Sequence, residues 1–121
     1  MGQFQGAESI QQRTFRFSVA IVRFYVETLQ SHDASRTLGR QLLRCGTSIG
    51  ANLEEAQAGQ SRADFISKCS IALKEAREAH YWLRLLVAGG LVPENQALPL
   101  INEANELVSI LTTIVKKSRG D

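Results

Sequence analysis

The chain has 121 residues, 44% hydrophobic and 21% charged, which fits one globular domain and excludes a disordered one. The formal net charge is only +2, so the chain is not polycationic, and its basic excess lies in residues 1–53, where six Arg face three acids. No apolar run reaches the roughly 18 residues that a membrane span requires and no signal pattern opens the chain, so the expectation is a soluble, cytoplasmic protein with no membrane partner.

Residues 1–12 are polar and aperiodic and are expected to be a flexible N-terminal segment. The first helix is predicted over residues 13–30. Phe15, Val19, Val22, Val26 and Leu29 form one apolar stripe along it; Phe17, Ile21, Phe24 and Thr28 form a second on the opposite side. A helix that is apolar on two opposed faces is buried from both sides, and a small bundle has too few elements to cover both. A second copy of the chain supplies the cover, and Phe17, Ile21 and Phe24 are assigned to that interface.

Ser31, His32 and Asp33 break the periodicity and lead into a second helix over residues 34–58. Its predicted seam is Leu38, Leu42, Cys45, Ile49, Asn52 and Ala56. Gly39, Gly46 and Gly50 share a strip beside that seam. Each mid-helix glycine costs roughly 0.8–1 kcal/mol relative to Ala, so the strip implies that another backbone approaches closely there. A polar amide on an apolar seam needs its hydrogen bonds met, and Ser48, Asn52 and Glu55 are expected to form a structural polar network. Away from the seam, Arg36, Arg40 and Arg44 recur every four residues. Their spacing of about 6 Å roughly tracks the phosphates of a nucleic-acid strand. Arg16 and Arg23 extend the patch if the first two helices lie side by side; the competing reading is a solvated face with salt bridges to Glu27 or Glu54.

Gly59 is expected to supply a left-handed turn, and Ser61 with Asp64 to cap the third helix, which runs to Ala88. Its seam is Phe65, Cys69, Ala72, Ala76, Ala79, Leu83 and Leu86, at heptad spacing and small in the middle. Trp82 and Leu85 lie off that seam and are assigned to the oligomer interface. Gly89 and Gly90 stop the helix. Pro93 opens a fourth, with Ala97, Ile101, Ala104, Val108, Leu111 and Val115 as seam, and residues 119–121 form a flexible tail. The fold class is therefore all-α: an antiparallel up-down-up-down four-helix bundle over residues 13–118.

The residues for catalysis are missing from this pattern. No Glu-x-x-His pair of the di-iron type occurs, His32 sits in a loop, and His80 has Arg77 three residues before it. Glu54 and Glu55 are adjacent and diverge on a helix. Cys45 lies on a seam where burial makes a thiol inert, and neither it nor Cys69 has metal or redox spacing. The sequence points away from an enzyme and implies no cofactor and no metal.

From residue 17 to 115 the chain resembles the bacterial four-helix-bundle family of the protein encoded in intervening sequences of 23S rRNA genes. The resemblance is carried by Arg40-Gln41-Leu42-Leu43-Arg44, by Ser48-Ile49-x-x-Asn52-Leu53-x-Glu55-Ala56, by Ser61-x-x-Asp64-Phe65, and by Ile71-Ala72 with Glu78 six residues on. The family usually has Gly at the place of Ala56 and Gly-Ser at the place of Lys74-Glu75, which marks a divergent subgroup. The resemblance implies a bundle that assembles into a homo-oligomeric, pentameric ring. The chain is also similar to the accessory protein of diversity-generating retroelements, a basic pentamer that binds its reverse transcriptase and nucleic acid. The implied partners are thus the chain itself, RNA or DNA, and a reverse transcriptase or other protein. The expected function is a non-enzymatic RNA or ribonucleoprotein accessory factor using the arginine face. The alternative is a protein–protein adaptor or structural ring with no nucleic-acid role.

Overall fold

A computed structural model describes residues 8–59 and 61–120. Those residues form four helices: α1 (Ile10–Thr28), α2 (Asp33–Ala58), α3 (Arg62–Ala88) and α4 (Glu94–Arg119). Each helix packs on its neighbours in the chain, and α4 returns to touch α1 only lightly, so the helices stand around a square with one loose edge. Gly50 of α2 lies against Thr14 and Gly39 against Tyr25, so α2 descends as α1 rises. This is the antiparallel bundle that the short connections imply.

α1 starts three residues earlier than its periodicity suggests because Ser9 and Gln12 make a reciprocal capping box. The Gln12 amide donates to Ser9 Oγ at 3.0 Å and the Ser9 amide to Gln12 Oε1 at 3.0 Å. Of the expected flexible segment, residues 10–12 are helical and residues 1–7 lie outside the described part of the chain. At the other end Arg119 is still helical, Gly120 closes α4 with a φ of 85°, and Asp121 lies outside the described residues. Ser61 caps α3 by accepting from the Asp64 amide at 3.1 Å. Gly59 does not adopt the expected left-handed turn. Its φ is −65° with an extended ψ, and its smallness is used for room, since a Cβ there would meet the Ala56 carbonyl at 3.2 Å. A positive φ occurs in the next connection, at Gly90 (77°) between α3 and α4.

The two-faced character of α1 is real, but its faces are the reverse of the expected assignment. Phe17, Ile21 and Phe24 are 2%, 0% and 8% exposed and belong to the chain's own core. They are not available to a second copy. Phe15, Val19, Val22 and Val26 face out, at 65%, 41%, 42% and 62% exposure. Leu29, which periodicity groups with that outer stripe, lies just past the helix end and turns inward to full burial. The glycine strip of α2 explains which face goes in. A Cβ at Gly46 would stand 3.0 Å from Ile21 Cγ1 and Cγ2, and one at Gly50 would stand 3.3 Å from the Thr14 carbonyl oxygen. The three glycines form the trough in which α1 lies.

Along α2 the buried seam is Leu42, Cys45, Ile49, Leu53 and Ala56. A step of four from Ile49 reaches Leu53, whose larger apolar side chain gains more by burial than the expected Asn52. Asn52 is half-buried beside the seam and donates to the Ser48 carbonyl at 2.9 Å; Ser48 Oγ donates to the Arg44 carbonyl at 2.7 Å. Glu55 is exposed, so the expected three-residue network is two separate side-chain bonds to backbone one turn back. On α3 the heptad seam is as expected from Cys69 to Leu86. Trp82 is half-buried and leans against the core, with its indole N–H buried and without a hydrogen-bond partner among the described residues. Leu85 stays at the surface, in a shallow depression of about 170 Å³ with Tyr81, Arg84 and Ala88.

Candidate nucleic-acid interface

The five arginines singled out by spacing occupy different edges of the square. Arg44 reaches from α2 across to α3, where Nη2 lies 2.8 Å from Glu78 and Nη1 lies 3.2 Å from Glu75. Arg16 and Arg23 sit on α1 beside the α4 groove, next to Leu100. The α2–α3 edge and the α1–α4 edge are opposite sides of the bundle, so these residues do not build one continuous patch within a chain.

Most of the set is also neutralised locally. Arg16 forks onto Glu8 with contacts of 3.0 and 2.8 Å, and that guanidinium holds the Glu8 carboxyl below the usual carboxylate range. Arg23 lies 3.8 Å from Glu27, the salt-bridge alternative that the sequence allowed. Arg36 donates to the Gln30 carbonyl at 2.6 Å, helping to close the loop before α2, and lies 3.6 Å from Asp33. Arg40 is exposed and has only a long 3.5 Å contact to Thr37 Oγ1. Of the α2 stripe, Arg40 is thus the member with no carboxylate within ion-pair distance among the described residues. Exposed pairs of this kind contribute little stability.

Arg13, outside the spaced set, has a structural task. Its Nε and Nη2 hold Glu103 at 2.7 and 2.9 Å, and Nη2 holds Glu106 at 2.8 Å, fastening α1 to α4 where the helices otherwise barely touch. The two carboxylates hold its pKa above the ordinary guanidinium value.

Among the described residues, Cys45 Sγ and carboxylate oxygens of Glu75 and Glu78 all lie within 4.8 Å of one another. Sequence spacing hides this cluster because Cys45 and the two glutamates are some thirty residues apart on facing helices. Its chemistry does not suit a metal ion. Burial first, and then Glu78, push the Cys45 thiol up to about 12, and Arg44 already occupies both carboxylates. The nearby Thr47 and Ser48 hydroxyls donate back to the Leu43 and Arg44 carbonyls. Nothing in this region places a nucleophile against a base.

A second cationic cluster is hidden from sequence spacing. Arg77 on α3 and Lys116 and Arg119 on α4 line a groove of about 310 Å³ together with Ser70 and Thr112. The available signal is the basic tail, but nothing in the spacing links residue 77 to residues 116 and 119 before the order of packing is known.

No described helix is long and apolar enough to cross a membrane. No protein of curated function matches the chain. A crystal structure of a protein of unknown function from the S23 ribosomal protein family of Bacteroides thetaiotaomicron is similar, at 41% identity and a TM-score of 0.83 over 89% of this chain and 99% of that one. Residues 8–113 match the profile of the 23S rRNA-intervening sequence proteins. That match spans most of the molecule, all of α1 to α3 and most of α4, and the chain belongs to the 23S rRNA-intervening sequence protein family.

Proposed function

We propose that the protein is a non-catalytic, self-associating bundle, a pentameric ring, that serves as an accessory factor to RNA or a ribonucleoprotein. The outward row of α1 carries the reading. Phe15, Val19, Val22 and Val26 are exposed at steps of four, three and four, the spacing of a coiled-coil seam. Single exposed apolar side chains are ordinary on a monomer, whereas a row four residues long, rimmed by polar ones, marks a contact surface. Beside Phe15 an apolar groove of about 320 Å³, floored by Gly50 and Ala51, offers a hole for a knob from the partner. A second copy of the chain is the proposed occupant, and repetition around a ring multiplies a modest cationic surface on each subunit.

Membership of the family supports the RNA half. Filter binding of the whole protein to single-stranded RNA over a range of salt concentrations is the test. The logarithm of the affinity should fall linearly with the logarithm of salt concentration. Absence of binding, or binding indifferent to salt, refutes the RNA role.

A protein adaptor is the second reading, favoured by the Tyr81–Leu85 depression. Tyr81 is 49% exposed there, with the Arg84 guanidinium 5.9 Å from its ring centroid. Recovery of a protein partner after nuclease treatment, lost on Tyr81→Ala, would favour it.

A further inference from the structure

We infer that the groove between α3 and α4, and not the α2 arginine stripe, is where this protein holds the sugar–phosphate backbone of single-stranded RNA. The inference rests on the RNA reading above and adds to it a location and a mode of contact.

Charge pairing is the first ground. Arginines reach acids across helices at two edges of this bundle: Arg13 with Glu103 and Glu106, and Arg44 with Glu75 and Glu78. Those contacts turn the middle acids of α3 toward α2 and those of α4 toward α1. The α3–α4 edge keeps cations. Among the described residues, Arg77, Lys116 and Arg119 have no carboxylate within the 4.0 Å ion-pair limit. Three like charges around one groove of about 310 Å³ repel one another, and an anion between them relieves that repulsion.

Helix termination is the obvious structural explanation for Lys116 and Arg119, since cations favour the last turn of a helix. It does not suffice. The Gly120 amide donates to the Lys116 and Lys117 carbonyls, and Arg62 donates to the Ser118 carbonyl through Nε at 2.8 Å and Nη2 at 2.5 Å. The end of α4 is already capped without these side chains. Arg77 lies in the middle of α3, where no helix end calls for it. The Ser70 hydroxyl, which lines the same groove, is buried and has no hydrogen-bond partner among the described residues.

The ligand follows from the shape and lining. The groove is a trough between two long helices, which suits a strand. None of its lining residues is aromatic, so bases have nothing to stack on, and contact is with the backbone and indifferent to base identity. A lipid surface would want cations beside protruding apolar side chains, and here Leu73 and Val115 lie in the walls.

The experiment compares wild type, Arg77→Ala/Lys116→Ala/Arg119→Ala and Arg40→Glu/Arg44→Glu for binding to labelled oligouridylate and oligoadenylate across a salt series. A parallel arm uses phosphatidylserine vesicles. The groove variant should bind at least about tenfold more weakly, with a salt slope shallower by about 2, as three lost single-strand phosphate contacts require. The stripe variant should lose less, and the two oligonucleotides should bind alike. Arg77→Ala alone should account for part of the groove variant's loss, and Arg77→Lys should restore most of that part. A groove variant that binds like wild type, or a strong base preference, overturns the inference while leaving the RNA role standing. Wild type that ignores both oligonucleotides overturns the two together, as does binding to the vesicles alone.

Discussion

The trough in α2 can be tested by filling it. In an unhindered helix Gly46→Ala would gain about 0.8–1 kcal/mol. Here the new methyl would stand 3.0 Å from both Cγ1 and Cγ2 of Ile21 and 3.4 Å from its Cβ, against a comfortable carbon–carbon separation of about 3.5–4.0 Å. Ile21 is fully buried and branched at Cβ, so it cannot rotate one methyl away without driving the other in. Either α1 lifts by about half an ångström or the side chain strains, and overpacking of this sort costs about 1–3 kcal/mol. The net expectation lies between no change and a loss of about 2 kcal/mol, read from urea unfolding at one fixed protein concentration, because assembly makes stability concentration-dependent. Gly39→Ala should be destabilising as well. Its new methyl would meet Leu29 Cδ1 and Tyr25 Cδ1 at 2.9 Å and Tyr25 Cε1 at 3.0 Å, and Leu29 is fully buried while the tyrosine ring is rigid. Ile21→Ala in the Gly46→Ala background should cost less than alone, with a coupling above about 0.5 kcal/mol. If Gly46→Ala stabilises by the full helix-propensity gain, the close packing of α1 on α2 is wrong.

Four further outcomes follow from the same geometry. Phe24→Ala should cost about 3–5 kcal/mol of stability, while Val26→Ala on the outer face should stay within about 0.5 kcal/mol of wild type in the dissociated chain, both read by urea unfolding. Arg13→Ala should lower stability by about 1–2 kcal/mol and speed hydrogen exchange along α1, because it releases the fastening to Glu103 and Glu106. Cys45, buried and pushed up to about 12, should resist thiol reagents in the native protein at pH 8 and react once urea unfolds it. Burial and then Arg84 lower the pKa of His80, so the unfolded chain takes up that proton first. Stability should fall as pH drops from neutrality through the ordinary imidazole range toward the lower folded value, and His80→Gln should remove that part of the acid sensitivity.

The helices and most seams are legible in the sequence because periodicity is local. The small central residues of α3 and the glycine strip of α2 mark, by residue type alone, where helices must approach closely. The faces of α1 are not legible: both stripes carry Phe and branched residues, and only the position of α2 decides that Ile21 goes in and Val22 goes out. Steps of three and four fit equally from Ile49, so spacing admits Asn52 to the seam, and the larger apolar gain of Leu53 settles the choice. The Ser9–Gln12 box is readable, but it lies in a segment whose polarity masks a helix start. The cationic surface is half visible. Its spacing along α2 is there, but the acids that meet Arg44 come from α3, and the cationic cluster at Arg77, Lys116 and Arg119 forms only when α3 and α4 lie side by side.

Light scattering across a micromolar concentration series, on wild type and on Val19→Glu/Val22→Glu, tests most directly whether the outer row of α1 is covered by another copy. Wild type should show a mass several times the 13.4 kDa of one chain, and the double variant should fall to a single chain with its helical content intact. A wild-type mass of one chain, or an assembly unchanged by two buried carboxylates at its supposed seam, would contradict the account.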